Sequence, residues 1–159
     1  MPKIYTRTGD SGESSIKDER LRKDALVFDV LGTLDELNSW VGWLRMDPGP
    51  DVRFDAASSA MLEAIQRAIV ALSADLAGFG AFSPDLLPAL EAEIDRLSPD
   101  GSFRLVLPAG RIHIARTVCR RAERCLVAFC PRHAGLPFVN RLSDYLYVLA
   151  ESSRKDLIR

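Results

Sequence analysis

From Leu26 to Leu44, apolar residues recur at steps of three and four: Leu26, Val30, Leu34, Leu37, Val41 and Leu44. An α-helix turns by about 100° per residue, so this spacing gathers them on one stripe that must be buried against a partner element. The stretch DPGPD, Asp47 to Asp51, then stops the helix with two prolines and a glycine. The same period returns at once. Met61, Ile65, Ala68, Leu72 and Leu76 predict a second helix over residues 54–76, with glycines at 78 and 80 weakening its end. Ser83 as N-cap and Pro84 at the first position predict a third, shorter helix over 83–97. A fourth is expected over about 111–130, ended by PRHAGLP, and a fifth over about 138–155. Residues 98–110 read as a loop with room for a brief extended piece, and no segment reads as a sheet. Five helices joined by short connections predict an all-α five-helix bundle.

The chain has 159 residues, 47% of them hydrophobic, which is enough for one domain with its own core. Residues 24–159 form the expected bundle. Residues 1–23 are polar, rich in hydroxyls and mixed charge, and are expected to be a flexible segment ordered by something outside itself. A net charge of −1 gives no global attraction to nucleic acid. Three cysteines, Cys119, Cys125 and Cys130, fall on the fourth helix at spacings that suit no metal site, so no protein-bound metal is expected. Reduced thiols, no signal-type N-terminus and no apolar run of spanning length together predict a cytoplasmic protein with no membrane partner.

The fourth helix carries the unusual stretch RTVCRRAERCLVAF, Arg116 to Phe129. On a helical wheel Ala115, Val118, Cys119, Ala122, Leu126 and Phe129 share one arc, which is the expected core seam. Arg116, Arg120, Glu123 and Arg124 share another, with Arg121 beyond them. One reading is a solvated face held by Arg116–Glu123 and Arg120–Glu123 pairs, each worth about 0.2–0.5 kcal/mol. The other is a set of planar donors converging on phosphate oxygens. Two further segments bear on the choice. TRTGDSGESS, Thr6 to Ser15, offers hydroxyls, glycines and exposed amides of the kind that form anion-binding nests, although it lacks a Walker A ending. In VNRLSDYLY, Asn140 and Asp144 stand one turn apart and are expected to face one site; a helix start capped by Asn140 is the alternative.

IYTRTGDSG, KD followed by GTLDELN, ARTVCRRAER and NRLSDYLYVLA occur in this order, and the combination resembles the PduO-type ATP:cob(I)alamin adenosyltransferases. IQRAIVALSADLA and LEAEIDRL resemble that family's middle helices, so the likeness spans nearly the whole chain. It implies a ferritin-like, cobalamin adenosyltransferase-like bundle that assembles as a homotrimer with inter-subunit active sites. It also implies transfer of the 5′-deoxyadenosyl group of ATP to the cobalt of cob(I)alamin, with release of triphosphate and Mg²⁺ on the phosphates. By resemblance Thr6, Arg7, Thr8, Gly9, Ser14 and Ser15 fold over the nucleotide, and Lys23, Arg120, Glu123, Arg124 and Asn140 match further ATP-contacting positions. Arg116 matches an arginine needed for activity, which pairs across the subunit boundary with an aspartate matching Asp35. The family's loop reading F-[IV]-L-P-G-G, which places an apolar group beneath the corrin, corresponds to RLVLPAG here. Leu105 takes the aromatic position, Ala109 replaces a glycine, and Phe103 lies two residues earlier. The link from Pro108 to Arg116 is short for the family. An active adenosyltransferase is the expected function. The alternative is a non-catalytic, nucleotide-binding or cobalamin-binding regulatory bundle.

Overall fold

The computed structural model describes residues 3–50, 52–101 and 103–155, the side chains of the last two excepted. Five helices are present among them: α1 (Leu26–Met46), α2 (Ala56–Leu76), α3 (Leu87–Leu97), α4 (Gly110–Phe129) and α5 (Leu136–Lys155). The expected five-helix architecture is therefore the observed one. α1 packs against α2 and α4, α4 against α5, and α5 against α3. Between them lies one apolar core built from Leu34, Leu37, Leu62, Ile65, Leu126, Leu142 and their neighbours. Phe138 and Tyr145 are the largest side chains fully inside it, and Phe138 rests against Phe82 with ring centroids 5.6 Å apart.

The stripe read on α1 is buried from Val30 to Leu44, but Leu26 is half exposed because it opens the helix and projects past the end of the core. On α4 the seam holds as far as Leu126. Phe129, expected in the core, is 38% exposed, since it is the last helical residue and no neighbouring helix covers it fully. Two helix starts also differ. α3 begins at Leu87 with Pro88 in its first turn, and Ser83 is not its cap. The chain is pinned just before Ser83, where the Phe82 amide donates to Asp75 at 3.0 Å, and residues 84–87 form a separate turn closed by the Leu87 amide on the Pro84 carbonyl, 2.8 Å. α5 starts at Leu136, ahead of the expected position, because Pro137 falls in a first turn whose amides need no intrahelical acceptor. Asn140 is thus inside the helix and does not cap it.

Ahead of α1 the expectation of no sheet is corrected. β1 (Glu13–Ile16) and β2 (Glu19–Arg22) pair antiparallel, Glu13 opposite Arg22 and Ile16 opposite Glu19. The hairpin turns at Lys17, which adopts φ 51°. That position is the reason the sequence concealed it, for a tight hairpin usually announces a left-handed residue with Gly or Asn. Gly78, at φ 79°, lets the turn approach the end of α2, since a Cβ there would stand 3.3 Å from Lys17 Cδ.

α2 and α3 are joined by one polar cluster. Asp55 caps α2, accepting from the Ser58 amide at 2.8 Å. Arg96 of α3 reaches both Asp55, at 2.9 Å, and the largely buried Glu93, at 2.6 Å, while Ser58 Oγ donates to Glu93 at 3.3 Å.

Candidate active site

Cys119 and Ala122 turn inward from α4 toward the core, and the Cys119 thiol donates to the Val139 carbonyl of α5 at 3.3 Å. Burial pushes that thiol's pKa well up, so it is a packing group and not a nucleophile. The period of the helix then forces Arg116 and Arg120 toward the groove beside α5. A cavity of about 520 Å³ opens there, lined by Arg116, Arg120, Arg141, Ser143, Asp144 and Tyr147, and completed by the end of α3 and the start of the loop after it.

The charges around this cavity are unevenly matched. Arg120 pairs with Glu123 at 3.0 Å and donates to Ser143 Oγ at 3.5 Å. Arg141 is held by Asp144 at 2.8 Å and Glu91 at 3.1 Å. Arg116 does not form the anticipated pair with Glu123: it lies two turns before it on the same face and is directed back along the helix, donating through Nε to His113 Nδ1 at 3.2 Å. Arg124 donates to the Arg120 carbonyl at 3.0 Å. Among the described residues, neither Arg116 nor Arg124 has a carboxylate within ion-pair distance. The face therefore carries surplus positive charge beside a concavity, an arrangement that suits a polyanion. Arg121 stands apart, paired with Glu36 of α1.

Not every expected site residue meets here. Asp144 lines the cavity, but Asn140 is exposed and contributes only its backbone carbonyl, to Ser143 Oγ at 2.9 Å. Arg7, Thr8 and Gly9 lie in a turn closed by the Asp10 amide on the Arg7 carbonyl at 3.3 Å, with Arg7 at φ 61° and Thr6 just ahead of it, and Ser14 and Ser15 lie on β1. Lys23 donates to the Gly9 carbonyl at 2.8 Å and Arg20 to that of Thr8, so this segment is tied to itself. No hydrogen bond or ion pair among the described residues joins it to Arg116, Arg120, Glu123 or Arg124. The hairpin turn instead borders Leu76 of α2 and Phe129 of α4. Asp35 is exposed on α1 with no ion partner among the described residues.

The loop between α3 and α4 is unexpectedly apolar toward solvent: Phe103 is 75%, Leu105 96% and Leu107 87% exposed. Tyr147 of α5 anchors its near end. Its hydroxyl donates to the Arg104 carbonyl at 2.7 Å and accepts from the Arg104 amide at 3.1 Å, while its ring lies tilted against Phe103 with centroids 5.0 Å apart. Arg141, Ser143, Tyr147 and His113 went unremarked in the sequence reading. Arg141 and Tyr147 carried a usable signal, standing three residues either side of Asp144 on one helix face. Tyr147→Phe should keep the ring contact but release the loop backbone, and the Arg104 amide should exchange with deuterium about tenfold faster. Unchanged protection of that amide would show that the hydroxyl is not what holds the loop.

The cobalamin adenosyltransferase family profile matches residues 4–153. A cobalamin adenosyltransferase of Cupriavidus metallidurans is 39% identical over 170 residues, covering 94% of this chain and 87% of that protein. The corrinoid adenosyltransferase PduO of Salmonella typhimurium is 37% identical over 175 residues, covering 96% of this chain, which spans 50% of the length of that relative. Among solved structures, a phenylalanine-to-alanine variant of the PduO-type ATP:corrinoid adenosyltransferase from Lactobacillus reuteri, complexed with cobalamin and ATP, aligns with a TM-score of 0.81. It is 30% identical, and the alignment covers 97% of this chain and 94% of that one. A match running from before the hairpin almost to the end of α5, with the same helical architecture, shows that this chain belongs to the cobalamin adenosyltransferase family.

Proposed function

We propose that the chain transfers the 5′-deoxyadenosyl group of ATP to the cobalt of a cob(I)alamin substrate. The observation that carries this reading is the arginine-lined cavity on α4 and α5, set beside an exposed apolar loop: one side suits a polyphosphate and the other a flat corrin. The cobalt(I) electron pair attacks C5′, a Co–C bond forms, the C5′–O bond breaks, and triphosphate leaves with the bonding electrons. The metal centre is itself the nucleophile, so no protein base is required. The protein's part is to align C5′ with cobalt and to hold the charge gathering on triphosphate. Arg120 and Arg124 bind phosphate oxygens, Glu123 orients Arg120, and Arg116 faces the departing charge. Mg²⁺ arrives on the nucleotide: no group of three His, Cys, Asp or Glu among the described residues is arranged to hold a cation alone, and Mg²⁺ usually binds through substrate phosphates.

The active unit in this proposal is a homotrimer in a cytoplasmic setting. The segment bearing Thr6 to Ser15 makes no bond to the α4 arginines of its own chain, so a neighbouring copy supplies it, and the exposed Asp35 then meets Arg116 of another copy. A monomer by light scattering at micromolar concentration would overturn this assembly. Anaerobic incubation with MgATP and cob(I)alamin should give the adenosylcobalamin spectrum. ATP binding without that product would instead favour a regulatory bundle.

Leu105 is apolar and fully exposed, but it lacks the flat bulk of an aromatic ring. The chain should therefore displace the lower axial ligand of cob(II)alamin only partially. Leu105→Phe should raise the four-coordinate fraction seen by magnetic circular dichroism with ATP present. A fully four-coordinate signal in the unaltered chain would transfer that role to Phe103 or another loop residue.

A further inference from the structure

The loop that carries Leu105 is tied down at both ends. Tyr147 holds its near end by the Arg104 backbone. Its far end turns into α4 at Gly110, which opens the helix at φ 81°, a conformation that residues with side chains rarely adopt. Arg111 follows at once and reaches across to the end of α1. Its Nη1 donates to the Asp47 carbonyl at 2.6 Å and stands 2.5 Å from Oδ2 of the same residue, while its guanidinium lies 4.6 Å from the centroid of the Trp43 ring. Trp43 in turn stacks on Trp40, with centroids 5.1 Å apart. A cation in the first turn of a helix is opposed by the helix dipole, and α4 has no acidic residue there to offset it. Arg111 therefore works against its own helix locally, and its contacts with α1 compensate. Residues 105–109 alone lie between the Arg104 backbone and the start of α4.

We propose that Arg111 is a positioning residue for the corrin side: it fixes the far end of this short loop on α1, so that Leu105, with Tyr147 holding the near end, stands in place before the corrinoid arrives. This rests on the adenosyl-transfer reading above. Leu105 is 96% exposed, so its side chain gains almost nothing from the rest of the fold, and the backbone alone decides where it stands. An apolar group on a mobile loop must be ordered as the complex forms, and that entropy opposes the displacement of the lower ligand from cobalt. Anchoring both ends beforehand removes that cost. The consequence is selective. Cob(II)alamin keeps a lower ligand that has to be displaced, whereas cob(I)alamin has none, so the anchor serves the first form far more than the second.

The test is Arg111→Met, which keeps an unbranched apolar stem beside Trp43 but removes the charge and its donors. With MgATP present, the four-coordinate cob(II)alamin fraction seen by magnetic circular dichroism should fall about threefold, while transfer to chemically reduced cob(I)alamin stays within about twofold. Asp47→Ala, which leaves the carbonyl acceptor in place, should lower the same fraction less. Leu105→Phe should lose its gain when combined with Arg111→Met, because both act through one loop. A readout free of corrinoid is chymotryptic cleavage after Leu105 in the ligand-free protein, which should quicken about tenfold in Arg111→Met. Three results would overturn the proposal: unchanged cleavage, an unchanged four-coordinate fraction, or an equal loss of both cobalamin readouts with a matching fall in Tm. Each leaves the adenosyl-transfer reading standing, provided that the unaltered chain forms adenosylcobalamin. An unaltered chain that forms none from MgATP and cob(I)alamin defeats that reading itself, and the role of Arg111 falls with it.

Discussion

Arg120→Ala should weaken ATP binding by roughly one to two decades, read by titration calorimetry, because a hydrogen bond to a charged group is worth about 1.5–3 kcal/mol. Arg120 is placed for this on three counts: it lines the cavity, it is steadied by Glu123 at 3.0 Å, and it reaches Ser143 of α5 at 3.5 Å. Removing it also strands Glu123, whose negative charge then opposes the phosphates, so both consequences act in the same direction. Arg121→Ala is the matched control. Its guanidinium is committed to Glu36 of α1, and both side chains are 45% exposed. Loss of such a surface pair should cost at most about 1 kcal/mol of stability and leave ATP affinity nearly unchanged. If Arg121→Ala proved the more harmful to binding, the cavity would not be the phosphate site.

Arg96→Met should destabilise the fold by about 3 kcal/mol, lowering Tm by roughly 6–12 °C in a thermal melt. The Glu93 side chain is only 9% exposed and depends on Arg96 at 2.6 Å for its counter-charge, with Ser58 Oγ as its other donor. A buried carboxylate that loses its cation keeps the desolvation cost without the compensating attraction. Arg96 is itself 43% exposed, which holds the figure to the lower end of the range for broken buried pairs. Adding Glu93→Leu to Arg96→Met should restore much of the stability, and failure to do so would mean that Arg96 acts by packing alone. The same cluster sets an acid response. The Asp55 carboxyl is held below the ordinary carboxylate range, chiefly by the Ser58 amide and further by Arg96. A depressed carboxylate contributes stability above its unfolded pKa and loses it as pH falls through the folded value. The contribution should therefore fade below about pH 4, and the slope there should flatten in Arg96→Met.

The helices and their faces could be read from the chain because both rest on local physics. A three- and four-residue apolar period identifies a helix and its buried side together, as at Val30, Leu34, Leu37 and Val41, all of them fully buried. The wheel also set Arg121 apart from Arg116 and Arg120, and the structure gives it a separate partner on α1. What local pattern could not supply was the partner across the fold. Arg116 could be placed on a face, but its bond to His113 rather than to Glu123 depends on side-chain directions within a packed seam. Glu151 comes within 3.5 Å of His113 only because α5 runs back along α4. The hairpin was hidden for a related reason. Strands of four residues with a single apolar side chain each have little side-chain signature, and their order comes from backbone pairing and from the Lys23 and Arg20 contacts to the preceding turn. Likewise, no period could show that Tyr147 would hold the Arg104 backbone, since 43 residues separate the two. Sequence by itself determined that the chain forms five helices, which stripe of α1 and of α4 is largely buried, and where positive charge is concentrated. Only the tertiary structure decided which of those charges are matched and which face the cavity, because that depends on elements distant in the chain arriving side by side.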